Sequence, residues 1–333
     1  MFPARDPAYG GTDPAGQPGP TPFDRIPMSE PSFPPPVLIL TPPGLPGQTL
    51  AAALGRNPVG YDVPELNLEQ AASTDQLQRD LVGFRGMQIL GLMRAVAQLY
   101  GGEQSGIAVE MARRWLNARA HLPTARVAHE IAAHIAPRRM IAPVTAALFD
   151  RLNLKQLLTI FPEAVYVQLT VHPLTYGRLL AGMELGEVML TITGALDETV
   201  EPAEPDPQKL WLMAQTALDE VVARVPADRL VTQDAAQLAS DPRVALAALA
   251  ETLGMPGDAS ALKAMLDPEA SVFAGPGPLG APIAGNIQSF SHLARDFAAA
   301  GPAGSLDGPV PWRTDGTGLS AQVRSRAEAQ GYH

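Results

Sequence analysis

The chain has no cysteine, which excludes a disulfide framework, thiolate metal sites and a cysteine nucleophile. Lysine is almost as scarce: Lys155, Lys209 and Lys263 are the whole set, so nearly all positive charge is arginine. Cations are outnumbered 24 to 34, a formal net charge of −10, and the basic surface needed for general nucleic-acid or anionic-membrane binding is missing. No stretch approaches the ~20 uninterrupted apolar residues of a membrane span. The first 30 residues lack an apolar core behind a basic start, so no signal peptide is expected. These absences point to a cytoplasmic protein with neither nucleic acid nor membrane among its partners. With 46% hydrophobic residues in 333, a large core can be buried, which excludes a wholly disordered chain.

Proline and glycine, by contrast, are abundant and unevenly placed. Residues 1–36 hold 11 of the 34 prolines and four glycines, the composition of a disordered tail, and the folded domain is expected over 37–333. From Val37 onward short apolar runs alternate with longer amphipathic ones. That pattern predicts an α/β fold with a central parallel sheet flanked by helices. Strands are expected at 37–40, 139–142, 165–171 and 229–233, and helices at 48–54 and 146–160, with a long one from about Thr175. A helical insert is expected at about 75–137, with helical spacing from Leu81 to Leu99 and further helices around Trp115 and Ile131. Asp206-Pro207 and Asp241-Pro242 are helix starts, and Gly254 is a stop. Residues 273–285, rich in Gly and Pro, read as an irregular stretch with the make-up of a lid.

A strand, a Gly-rich turn and a helix can hold a phosphate, because amides at a helix N-terminus point outward and the helix dipole favours an anion. Thr41-Pro42-Pro43-Gly44-Leu45-Pro46-Gly47-Gln48-Thr49-Leu50 lies in that setting. The G-x-x-x-x-G-K-[ST] pattern of a nucleoside-triphosphate loop and its lysine are absent. His129 and His134, five apart on one helix, are poorly spaced for a shared metal, and no metal site is expected.

Residues 37–58, followed by Pro64-Glu65-Leu66, resemble the first phosphosulfate-binding segment of the sulfotransferase family, a strand, P-[KR]-S-G-[ST]-[ST]-L, a helix and H-P. Phe161-Pro162-Glu163-Ala164-Val165-Tyr166-Val167-Gln168-Leu169-Thr170-Val171-His172-Pro173 is similar to that family's 3′-phosphate segment, and residues 229–256 to its following strand and helix. Tyr100-Gly101-Gly102-Glu103-Gln104, Pro137-Arg138-Arg139 and Pro311-Trp312-Arg313-Thr314-Asp315-Gly316 resemble the branch associated with polyketide and nonribosomal-peptide pathways. The resemblance implies a P-loop-NTPase-like three-layer fold. It also implies transfer of a sulfuryl group from 3′-phosphoadenosine 5′-phosphosulfate (PAPS) to an acceptor hydroxyl.

The departures from the family pattern concern charge. Gly44 and Leu45 stand where the first loop has its cation, Pro46 where it has serine, Val171 where the 3′-phosphate segment has arginine, and Leu179 where it has serine. The family's second cation is lost in Met140-Ile141-Ala142-Pro143-Val144-Thr145. What the resemblance leaves as a degenerate cofactor site is Gly44, Gly47, Gln48, Thr49, His172 and Arg178. Glu65 matches a position where some relatives carry a general base; it is either that base or a group that caps and orders its loop. The expectation is a pseudo-sulfotransferase that binds no PAPS productively and works as a binding or partner subunit, with a protein partner or a second copy of itself. The alternative is an active sulfotransferase using PAPS on a small-molecule or carrier-bound acceptor, with a neutral-ligand cleft as a third reading.

Overall fold

Val37–Leu40, β1, is the centre of the sheet, and all four of its residues are buried. Successive side chains of a strand point to opposite faces. Accordingly Val37 and Ile39 enter one hydrophobic core and Leu38 and Leu40 another, so the sheet is covered on both sides. This computed structural model describes residues 33–278, 281 and 287–333. Most of the expected tail, residues 1–32, and the expected lid at 279–280 and 282–285 lie outside the described residues.

After β1 come α1 (Gly47–Gly55), β2 (Gly60–Asp62), α2 (Thr74–Asp80), α3 (Leu90–Gly101), α4 (Gly106–Ala118), α5 (Thr124–Ile135) and β3 (Arg139–Val144). Next are α6 (Arg151–Ile160), β4 (Val165–Thr170), α7 (Pro173–Gly182), α8 (Gly186–Thr193), β5 (Leu196–Asp197), β6 (Glu204–Pro205), α9 (Pro207–Val222) and β7 (Leu230–Asp234). The chain continues through α10 (Ala235–Ser240), α11 (Pro242–Thr252), α12 (Ala259–Met265), α13 (Phe290–Ala300) and α14 (Ala321–Ala329). Five strands form a parallel sheet in the order β2-β3-β1-β4-β7, with Val37 opposite both Ile141 and Val165. This is the expected α/β architecture, with α2 to α5 inserted between β2 and β3. Pro143, which has no amide hydrogen, is tolerated in β3 because its neighbour β2 pairs only as far as Ile141.

The helix starts follow from local chemistry. Asp206 accepts from the Gln208 amide at the head of α9, Asp241 accepts from Val244 at the head of α11, and Gly254 (φ +65°) follows the end of α11. Trp211, fully buried on α9, donates Nε1–H to the Val171 carbonyl at 2.9 Å and so ties that helix to the end of β4. Burying a side chain of this kind contributes about 2 to 3 kcal/mol.

Several boundaries differ from the sequence expectation. The helix expected over 146–160 is a 3-10 turn at Ala146–Phe149 and then α6, because the Asp150 carboxylate caps the Leu152 and Asn153 amides and starts a new helix. The long helix expected after Thr175 breaks at extended Met183 into α7 and α8. The acidic run at 197–206 closes the β5–β6 hairpin, for which the sequence predicts no strand. Residues 33–36, at the end of the expected tail, lie against the domain: Phe33 packs on His129, and Arg139 Nε–H donates to the Pro35 carbonyl.

Candidate functional site

The loop between β1 and α1 is closed on itself. The Leu45 amide donates to the Pro42 carbonyl at 3.2 Å and the Gly47 amide to the Leu45 carbonyl at 2.9 Å, while Pro46 has no amide hydrogen. Two amides of the kind that would cradle an anion therefore serve the loop itself. Gly44 takes φ +82°, a conformation other residues rarely adopt. A Cβ on Gly47 would lie 2.3 Å from the Thr41 side chain, so glycine is required there by close approach.

Thr49 is fully buried on α1, and its Oγ1 accepts the Gln288 amide at 3.0 Å. Gln48 faces a different, minute pocket beside Asp62 and Phe273. Tyr176 on α7 donates its hydroxyl to the Pro43 carbonyl at 3.0 Å and clamps the loop from the other side.

A cleft of about 320 Å³ lies between this loop, α7 and α13. Gly44, Leu45, Pro46, Arg178, Leu179 and Asp296 are on its wall, so Arg178 and Gly44 share one cleft. Among the described residues Arg178 is the sole cation lining it, and its charge is opposed by Asp296. Arg178 Nη1–H donates at 2.6 Å to the carbonyl of Pro302, just beyond α13.

His172 lies apart, on the wall of a second cleft of about 620 Å³ that also holds Asp234 and Tyr332; Phe297 of α13 borders both clefts. His172 is 7% exposed, and its Nδ1 accepts the Leu174 amide at 3.2 Å, which caps α7. That bond places the ring proton on Nε2, which has no hydrogen-bond partner among the described residues and packs edge-on against Tyr332. Burial lowers the His172 pKa, Arg178 lowers it further, and Asp234 opposes both.

Glu65 is elsewhere again, at the end of β3, and is not on the wall of either cleft. Its Oε1 accepts the Ala146 amide at 2.9 Å and the Thr145 amide, so the carboxylate caps the 3-10 turn Ala146–Phe149. Burial raises its pKa, and the two backbone bonds hold it down.

The sequence reading missed Glu69. This side chain is 4% exposed, its Oε1 has no partner among the described residues, and it shares with Glu65 a cavity of about 20 Å³. Burial pushes its pKa up to about 8, and the nearby Glu65 charge adds to the shift. Asp62, buried beneath the Ser271 hydroxyl that donates to it, is pushed up to about 6 by burial. The four-residue spacing of Glu65 and Glu69 was the available signal, and a 3-10 turn at Leu68–Gln70 turns Glu69 inward.

Other singled-out residues have structural partners. His129 Nε2 and His134 Nε2 each lie 2.9 Å from a backbone carbonyl, of Ile160 and Leu99 respectively. Among the described residues no group of three metal-ligating side chains converges. Trp115 stacks on Tyr100 under the Arg119 guanidinium, and Trp312 donates to Asp206 while packing so closely on Gly177 that no Cβ would fit. No helix of the described residues is long and apolar enough to cross a membrane.

The chain matches the sulfotransferase domain from the curacin biosynthetic pathway with a TM-score of 0.68 at 16% identity, over 91% of this chain and 99% of that one. It matches the sulfotransferase domain of the Synechococcus PCC 7002 olefin synthase with a TM-score of 0.65 at 20% identity, over 90% of this chain and 95% of that one. The fold is a sulfotransferase fold. No protein-family model matches the sequence, and neither does any curated protein.

Proposed function

We propose that this protein is a sulfotransferase-fold subunit that has lost productive PAPS binding and acts by binding a partner. One observation carries the reading: two of the groups expected at a donor site, Thr49 and Arg178, are engaged from within by the chain's own 288–302 segment. The Gln288 amide meets Thr49, the Pro302 carbonyl meets Arg178, and α13 between them lines both clefts. A donor with several negative charges would meet a single arginine opposed by Asp296. Each charge-assisted contact to a phosphate is worth roughly 1.5 to 3 kcal/mol, so losing several weakens such a ligand by orders of magnitude. Glu65, held by two backbone amides, acts in this reading as a cap rather than a base.

The position of Arg178 on the cleft wall favours a second reading, an active enzyme moving a sulfuryl group from PAPS to a hydroxyl of a small molecule or carrier-bound intermediate. In that case Arg178 must leave the Pro302 carbonyl to face the donor. Calorimetric titration with adenosine 3′,5′-bisphosphate at low and moderate salt separates the two. The expected result is no binding at millimolar ligand. Micromolar affinity abolished by Arg178→Ala would overturn the proposal and establish the second reading.

A further inference from the structure

The cleft between the β1–α1 loop, α7 and α13 holds two charges of opposite sign that do not neutralise each other. Arg178 of α7 and Asp296 of α13 both stand on its wall, and no ion pair joins them among the described residues. Arg178 gives one N–H to the Pro302 carbonyl, and a guanidinium has five such donors in a planar fork that matches a carboxylate. Asp296 Oδ2 accepts from Gln288 Nε2 at a long 3.4 Å, and its Oδ1 lies 3.6 Å from His292 Nε2. Its side chain is 43% exposed, so the carboxylate keeps the capacity to accept a further donor.

Much of the remaining wall is apolar. Leu45, Leu179, Met183, Leu293 and Phe297 line the same space. At about 320 Å³ the cleft is at the small end of the range for ligand sites, room for one small molecule rather than for a segment of a partner protein.

This wall selects by charge pattern. A ligand that is only anionic gains from Arg178 and is repelled by Asp296, and a cation meets the converse. A neutral apolar molecule would shield both charges from water and give neither a partner. A molecule with both signs on an apolar body satisfies each part of the wall. We infer that the cleft binds a small zwitterion of the amino-acid class, a free amino acid with an apolar side chain or a dipeptide of such residues, with its carboxylate on Arg178 and its ammonium on Asp296. The inference rests on the reading given above, because a nucleotide donor would fill the same cleft.

Calorimetric titration of the full chain with phenylalanine, leucine and the dipeptide leucylleucine at millimolar concentration tests it. At least one is expected to bind, and the tighter of the two lengths separates the free amino acid from the dipeptide. Blocking one charge of the ligand that binds, as its N-acetyl or its amide derivative, is expected to weaken it about tenfold or more. Arg178→Met keeps an apolar stem and is expected to bind the zwitterion and its amide equally well. Asp296→Asn is expected not to tell the zwitterion from its N-acetyl derivative. If a variant fails to fold, the blocked ligands on the wild-type chain still decide. No binding by any of the three, or blocked derivatives that bind as well as their parent, would overturn the inference. Adenosine 3′,5′-bisphosphate is titrated beside them. Micromolar binding of the nucleotide would overturn the reading above and this inference with it, whereas a chain that binds neither nucleotide nor zwitterion would overturn this inference alone.

Discussion

The β1–α1 loop and the corner formed by residues 62–69 with the end of β3 lie on the same sheet, yet they treat polar groups in opposite ways. The loop has no charged side chain between Thr41 and Leu50, and its Leu45 and Gly47 amides are met by its own carbonyls. The corner keeps Asp62, Glu65 and Glu69, all with raised pKa values, and leaves one Glu69 oxygen without a partner among the described residues. A loop without charged side chains can settle into a turn that satisfies its own amides. A buried carboxyl oxygen without a partner works against folding, so Glu69 is the costly group of this corner.

The largest expected effect breaks that contrast at its costliest group. The Glu69 carboxyl is at about 8 in the folded protein against 4.5 for an ordinary glutamate. The folded state therefore holds a proton that the unfolded state releases, and the contribution of Glu69 to stability is fully present below about pH 4.5 and is lost as pH rises through about 8. The total loss from this group is on the order of 5 kcal/mol. Glu69→Gln removes this dependence, and urea unfolding at acid, neutral and alkaline pH should show a flatter profile for the variant. An unchanged slope between the two proteins would show that Glu69 is not the titrating group.

Next in size is Gly47→Ala in the loop. Its Cβ would meet Thr41 at 2.3 Å inside a buried turn, an overpacking expected to cost about 1 to 3 kcal/mol. Thr41→Ser removes Cγ2, the nearest of the atoms in that clash, so it should recover part of the loss in the double variant. Additive losses would show that the strain lies elsewhere.

Glu65 sharpens the comparison because its two readings predict different variants. As a cap, it satisfies two amides through one oxygen. Glu65→Ala leaves both without that acceptor and is expected to cost about 1 to 3 kcal/mol, whereas Glu65→Gln keeps an oxygen in place and is expected to cost less than about 1 kcal/mol. Equal losses in thermal unfolding would contradict the capping role.

The parts of the fold visible in the sequence are those set by neighbouring residues. β1, β4 and the Asp-Pro starts of α9 and α11 each carry their own signal, an apolar run or a side chain beside the amide it caps. β2 does not, being three residues whose Gly60 is required by the Leu54 carbonyl at 2.3 Å from where its Cβ would lie. Nor does the β5–β6 hairpin, whose Asp197 is held by Arg313 from 116 positions away. The same division runs through the candidate site. That Leu45 and Val171 are uncharged can be read residue by residue, but closure over Thr49 depends on Gln288, 239 positions later, and no local pattern announces it.

The smallest expected effect asks whether charge alone separates the loop from a working donor site. Leu45→Lys returns a cation to the cleft wall beside Gly44 and Pro46. A charge-assisted contact there is worth roughly 1.5 to 3 kcal/mol, about ten to a hundredfold in affinity, provided the rest of the site can receive the ligand. The Gly47 amide still faces the Leu45 carbonyl, and Gln288 still meets Thr49. Adenosine 3′,5′-bisphosphate binding is therefore expected to stay below detection in calorimetry of Leu45→Lys. Micromolar binding by this single variant would mean that the loop opens readily and that only its charge was lost, which would erase the contrast between a settled loop and a strained corner.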